Sequence, residues 1–419
     1  MAAIWALRFA HLLLLLPLLQ ASIEYELHGN IYPDGHIHVS VSVGEPAKTY
    51  FLMIDTGSPV TWLECNYFAR EIPYRGPNSM YIPGPSNMVS REDERCVALH
   101  RDLGVMFGPN PDECGYNIRY VEESSTGVLV ADSLSLPTNN RDSANLAFGC
   151  AYDKKGGPDG TLIVDGVLGL SRGTGDFVSQ LKRQDIITDN VFGHCIGIGG
   201  GGFLFFGGDS GRVPASGVTW LPLSLGSYYS PGAAKLNLNV VQEYPVSENP
   251  MKTIFDSGST YSYVPSDTYT RLVSAVGVSI EGSSLTVVND PELPKSRCWQ
   301  GNELISSIED VKNTFHPLDL TFGHGDSQVQ VTLDIPSENY IIVTKNGNVC
   351  LGILNGGDNK EMLIGANLMQ NHVMIYDNER ARIGWVRASC DNGHGPLRAS
   401  TIRVACCCSC CEQKEKKHA

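Results

Sequence analysis

Residues 51–63 read FLMIDTGSPVTWL, and residues 252–264 read KTIFDSGSTYSYV. Each is an apolar, strand-forming run that ends in Asp, a hydroxyl residue, Gly and Ser, then returns to apolar and aromatic residues. A single Asp-x-Gly is ordinary turn chemistry. Two of them, both launched from apolar strands and separated by about the length of a domain, predict two half-sites that each donate one carboxylate, Asp55 and Asp256. Each phrase also has a downstream partner: TLIVDGVLGL supplies Val167, Leu168 and Gly169, and EMLIGANLM supplies Leu363, Ile364 and Gly365. Gly169 lies 114 residues after Asp55 and Gly365 lies 109 after Asp256. Near-equal internal spacing predicts two lobes of similar design.

The rest of the chain bounds this reading. Its 419 residues can form two lobes, each with its own core. Short apolar runs punctuated by Gly (44) and Pro (23) predict an all-β protein with a few short helices, which the repeat makes bilobal. Helical spacing after a Ser cap places helices around 171–184 and 266–277, with a third expected at 308–315. The turn-rich stretch GDSGRVPASGVTWLPLS marks the crossing, giving an N-terminal lobe over 23–220 and a C-terminal lobe over 221–395. A net charge of −14 with no basic stripe excludes nucleic acid as the expected partner.

The first 22 residues, with one Arg and a short Leu-rich run, read as a secretory signal peptide. No other apolar stretch approaches a bilayer span, and no N-x-[ST] sequon occurs. Eight cysteines precede the tail (Cys65, Cys96, Cys114, Cys150, Cys195, Cys298, Cys350 and Cys390), widely spaced and without C-x-x-C pairs. They are expected as disulfides in an oxidising compartment, extracellular or vacuolar, not as zinc ligands; spacing leaves their pairing open. The histidines are scattered, and His36 and His38 alternate on a strand, which predicts a shared surface face and no metal site. The tail, residues 396–419, carries Cys406, Cys407, Cys408, Cys410 and Cys411 followed by lysines and is expected to be disordered. It resembles an acylated basic anchor, but acylation acts on the cytosolic side, so a thiol tract stands equally as a reading.

Two apposed carboxyls cannot both ionise easily and tend to share one proton. The charged member can take a proton from a bound water while the protonated member polarises a peptide carbonyl, with no metal, cofactor or covalent intermediate.

With DTGS at 55–58, Trp62 seven residues after the first Asp, DSGS at 256–259 and the two apolar-apolar-Gly steps, the chain resembles the pepsin-type aspartic proteases. ELHGNIYPDG, LAFGCAYD, FGHCIGIGGGGFLFFGG, YYSPG, CWQG, ENYIIVTKNGNVCLGILNG and VMIYDNERARIGWV resemble their plant nucellin-like branch, over about residues 26–390. The resemblance implies that Asp55 and Asp256 form the catalytic pair, supported by Thr56, Gly57, Ser58, Ser257, Gly258 and Ser259. It implies that Tyr120 is the tyrosine of a flap that closes over substrate, with Trp62 beneath it, and that Cys298 and Cys350 form a disulfide. It further implies a cleft between the lobes and a monomeric endopeptidase acting on extended peptide or protein substrates and open to pepstatin-type inhibitors.

Three departures from the family and its branch stand out. The segment 65–96 holds only Cys65 and Cys96 where a Cys-rich insertion is usual, Tyr120 is followed by VEESS and not a Gly-rich run, and LGLSRG lacks a second Gly after Leu170. No basic pro-segment separates the signal from the first strands, so latency of that kind is not expected. A catalytically weak or inactive binding or inhibitor protein on the same fold is the alternative reading.

Overall fold

The computed structural model describes residues 23–69, 74, 76–120, 123–138, 142–156, 164–208, 211–212, 216–240, 244–323 and 330–390. The expected signal peptide, the Cys-rich tail and Glu122 lie outside the described residues.

The apolar run before Asp55 forms the strand Lys48–Asp55, which lies parallel to Gly166–Gly169 with Asp55 opposite Gly169. The run before Asp256 forms Met251–Phe255, parallel to Glu361–Ile364 with Phe255 opposite Ile364. After each Asp loop the chain returns antiparallel to the same partner, Trp62 opposite Val167 and Tyr263 opposite Leu363. The returning strands Trp62–Glu64 and Ser262–Val264 then pair in parallel with Ser143–Gly156 and Ile353–Asn355. The duplicated phrases are therefore duplicated structures. Gly169 and Gly365 are required by close approach: a Cβ would stand 2.4 Å from Val60 C at the first and 2.3 Å from Tyr261 O at the second.

The lobes are joined by a continuous ladder. Ile23–Asn30, Gly202–Phe206, Val191–Ile196, His372–Asp377, Arg382–Arg387 and Thr219–Pro222 follow one another as hydrogen-bonded neighbours. Val191–Ile196 and His372–Asp377, nearly two hundred residues apart in sequence, pair antiparallel, and the Cys195–Cys390 disulfide staples this seam. The expected crossing at residue 220 falls within Thr219–Pro222. Beneath the seam Phe192 stacks on Tyr376 at 4.6 Å, and Tyr229 meets Tyr376 edge-on at 4.5 Å. Aromatic pairs of this kind contribute beyond their buried area.

Helices fall at Phe177–Arg183, N-capped by Asp176, and at Ser266–Ser279. The third expected helix is only a single turn, Ile308–Asp310, opened by a capping box in which Asp310 accepts from Ser307 N–H. A further helix, beyond the three expected, spans Glu94–Leu103 and is capped by Asp93. It starts at the end of the segment read as a shortened Cys insertion and runs beyond it; its Cys96 pairs with Cys114 while Cys65 pairs with Cys150. Cys298 and Cys350 sit opposite each other on adjacent strands and are bonded. His36 and His38 do share a face, but it is not a surface one: both rings are under 10 % exposed, stacked 5.1 Å apart, with Phe51 and His28 against His38.

Burial keeps three histidines neutral. His38 is lowered to about 4 and His372 to about 4, both chiefly by desolvation, and His194, enclosed in the interlobe seam, is lowered to about 3 for the same reason. A histidine whose folded pKa is depressed binds fewer protons folded than unfolded, so its contribution is complete above the unfolded value of about 6.5 and is lost as pH falls. For His194 this loss is on the order of 3 kcal/mol by pH 4. His194→Gln is expected to lessen the fall in Tm between pH 7 and pH 4 by several degrees, as read by thermal unfolding at the two pH values; an equal fall in variant and wild type would refute the assignment.

Candidate active site

Both Asp loops begin where an interior strand ends, so their backbones are fixed before their side chains are placed. The loops brace each other reciprocally. Thr56 Oγ1 donates to Phe255 O (3.0 Å) and accepts from Ser257 N (2.9 Å). Ser257 Oγ donates to Ile54 O (3.0 Å) and accepts from Thr56 N (3.1 Å). Thr56 and Ser257 are almost fully buried, so all four bonds are shielded from water. The Tyr376 hydroxyl lies against Thr56 on the interlobe side and meets His194 Nε2 at 3.1 Å. Sequence reading missed these two supports; their only signal is that VMIYDNE and FGHCIG are short, largely apolar runs, which marks them as buried strands.

Each carboxyl is held in the same way. Gly57 N donates to Asp55 Oδ1 (2.8 Å) and Gly258 N to Asp256 Oδ1 (3.0 Å). Ser58 Oγ donates to Asp55 Oδ2, and Ser259 Oγ to Asp256 Oδ2 at 2.9 Å. The two carboxyls are in hydrogen-bond contact with each other. A Cβ on Gly57 would lie 2.9 Å from Asp256 Oδ1 and 3.1 Å from Asp55 Oδ1, and one on Gly258 only 2.4 Å from Asp55 Oδ1. Glycine is thus the residue that lets each loop's backbone reach the opposite carboxyl.

The pair is not symmetric. Asp55 is buried and Asp256 partly exposed. Desolvation, and then the facing Asp256 charge, hold the Asp55 carboxyl well above the usual carboxylate range, against the opposing pull of Ser58 and Gly57. One proton shared between the two is the state this geometry favours.

Over the pair, Gly115–Arg119 and Glu123–Ser135 form a hairpin, and Tyr120 stands where it turns, its N–H donating to Glu123 O at 2.7 Å. Trp62 Nε1 donates to the Tyr120 hydroxyl at 2.9 Å, and Ser58 Oγ lies 3.0 Å from that hydroxyl. The single Ser58 proton is engaged by Asp55, so the phenol is the donor of that last contact. A chain of donors therefore runs from Trp62 through Tyr120 and Ser58 to Asp55. Burial and then the nearby Asp55 raise the Tyr120 pKa, keeping it a phenol and thus a donor. Asp55, Asp256, Thr56, Gly57, Ser58, Ser257, Gly258, Ser259, Tyr120 and Trp62 are therefore brought together, while Cys298 and Cys350 lie apart in a small sheet of the second lobe. Where LGLSRG departs from the expected Gly, Ser171 is buried and its N–H donates to Ser58 O at 3.0 Å. Among the described residues one trio has metal-ligand spacing, Cys96, His100 and Cys114. Both of its thiols are bonded to each other, and His100 Nε2 lies 2.9 Å from Gly115 O.

The family described as "Xylanase inhibitor N-terminal" matches residues 38–208, and "Xylanase inhibitor C-terminal" matches residues 233–387. The chain is 43% identical over 409 residues to an aspartic proteinase of Oryza sativa subsp. indica, covering 94% of this chain and 98% of that one. It is 22% identical to Pepsin A of Gallus gallus, with 88% of each chain covered. Among solved structures, the basic 7S globulin from soybean superposes with a TM-score of 0.67 at 16% identity, over 88% of this chain and 97% of that one. The aspartic proteinase from Irpex lacteus superposes with a TM-score of 0.62 at 17% identity, over 89% and 99%. These two structures share the fold.

Thr56→Val should lower unfolding stability by about 2–4 kcal/mol in urea denaturation, since it strands the buried Ser257 N–H and Phe255 C=O. A carboxyl with a raised folded pKa stabilises fully below the unfolded value, and that contribution is lost as pH rises. Asp55→Asn should therefore gain stability relative to wild type as pH goes from 4 to 7, seen as a widening difference in Tm.

Proposed function

The chain belongs to the pepsin-like aspartic protease family, and we propose that it works as an aspartic endopeptidase, with Asp55 and Asp256 as its catalytic residues. The observation that carries this reading is the hydrogen-bonded pair of carboxyls, each held by its own Gly N–H and Ser hydroxyl at the junction of two lobes. A peptide lying extended across the loops presents its carbonyl to the pair. The charged carboxyl takes a proton from a water positioned between the two. The water oxygen bonds to the carbonyl carbon, and the protonated carboxyl, which burial makes Asp55, gives its proton to the carbonyl oxygen. Collapse returns that proton to Asp55, while the proton taken from water passes to the departing amide nitrogen as the C–N bond breaks. Tyr120 closes over the substrate, and Trp62 and Ser58 hold it in place.

The substrates are peptides or unstructured protein segments, and the working compartment is the apoplast or vacuole. Four disulfides support an oxidising destination, and among the described residues no helix is long and apolar enough to cross a membrane. The second reading is a binding or inhibitory protein with little turnover. It is favoured by the xylanase-inhibitor descriptions of both matching families.

Cleavage of a denatured protein substrate from pH 3 to 7, with and without pepstatin, separates the two. Pepstatin-sensitive cleavage that falls by about a thousandfold or more in Asp55→Asn and in Asp256→Asn is expected. Full activity in either variant would end the endopeptidase assignment, and a folded wild type inert at every pH would shift the weight to the binding reading.

A further inference from the structure

Outside the carboxyl pair, one charged cluster reaches from the rigid lobe to the flap. Ser143–Gly156 runs alongside the flap strand, with Lys154 opposite Ser125 and Gly156 opposite Glu123. Lys154 Nζ lies 3.3 Å from Glu64 Oε1, 3.6 Å from Glu123 Oε2 and 5.7 Å from the centre of the Trp62 ring. The three charged side chains are only 22%, 15% and 29% exposed, so these pairs are less screened than ordinary surface pairs. The two carboxylates belong to different bodies. Glu64 lies two residues beyond Trp62 on an interior strand, and Glu123 lies where the flap hairpin turns, its carbonyl accepting from Tyr120 N.

We propose that Lys154 is a positioning residue for the flap: by bridging Glu64 to Glu123 across the face of Trp62, it keeps Trp62 Nε1 aimed at the Tyr120 hydroxyl and holds the flap over the carboxyl pair. The physical case rests on what removal leaves behind. With the ammonium in place, Glu64 and Glu123 are drawn to a common cation, and the cation is attracted to the ring face. Without it, two partly buried carboxylates of like sign face each other, one on the platform and one on the flap, and attraction becomes repulsion that lifts the hairpin. Asp165 adds further negative charge near Glu64. The Trp62 ring, otherwise packed among apolar side chains, also loses the positive charge over its face. The contacts of Lys154 are with Glu64, Glu123 and Trp62, so its effect on the carboxyl pair passes through them.

The catalytic part of this inference rests on the endopeptidase reading; the flap-holding part does not. The test is Lys154→Met, which keeps the apolar stem, compared with Lys154→Arg and Glu123→Gln. Lys154→Met should raise KM for an unstructured peptide and the Kd for pepstatin about three- to tenfold, with kcat within about twofold of wild type. Amide hydrogen exchange over 115–120 and 123–130 should quicken by a similar factor, while the interlobe sheet at 191–196 and 372–377 keeps its protection. Lys154→Arg should restore most of each value, and Glu123→Gln should quicken flap exchange as Lys154→Met does, which keeps the test available if the latter fails to fold. Unchanged flap exchange in Lys154→Met or Glu123→Gln, or an equal loss of protection in flap and interlobe sheet, would overturn the proposal. A wild type that neither cleaves nor binds pepstatin would sink the endopeptidase reading instead, and flap exchange alone would then decide the role of Lys154.

Discussion

The structure depends on the four bonds by which Thr56 and Ser257 tie the two Asp loops together. Each lobe can end a parallel strand pair in a tight Asp loop, but neither can bring a second carboxyl to its own. The threonine and serine hydroxyls reach across to the other lobe's backbone, each accepting from one N–H and donating to one carbonyl. Both hydroxyls are thereby engaged as donor and acceptor, and no water is needed at the meeting point. The carboxyls sit one residue before this brace, so their separation is set by backbone and not by side-chain rotamers. That is the preorganisation proton transfer requires.

The asymmetry between the carboxyls follows from what surrounds an otherwise matched pair. Both receive one Gly N–H and one Ser hydroxyl, and Ser58 is linked onward through Tyr120 to Trp62. Asp256, held by Ser259, is the more open of the two. The hairpin that ends at Tyr120 thus completes the environment of Asp55 and ties the first carboxyl to its own position.

Much of this was legible in the sequence because duplication is a strong signal. Two apolar-Asp-hydroxyl-Gly-Ser phrases and two apolar-apolar-Gly steps at matched distance predict the repeated strand pairs, and the register of Asp55 with Gly169 and of Phe255 with Ile364 realises that spacing. The helix at Glu94–Leu103 was harder to see. Asp93 and Glu94 are good start signals, but the run they open is short, polar and set among turn residues, with only Cys96, Ala98 and Leu99 buried. The burial of His36 and His38 was hidden for another reason. Alternation tells which residues share a face, and only tertiary packing tells whether that face meets water. Tyr376, His194 and Lys154 were hidden because their importance lies in contacts between strands far apart in the chain.

The ladder between the lobes has a consequence for biosynthesis. Val191–Ile196 gains its neighbour only when His372–Asp377 has been made, and Cys195 waits for Cys390. A nascent chain that has completed its first lobe therefore carries an unpaired, apolar strand edge and a free thiol through the synthesis of nearly half the molecule. Exposed edges of this kind recruit other chains, so the interval before the final strands arrive is when the polypeptide is most open to wrong pairing. The two halves look like separable units in sequence, but they mature as one.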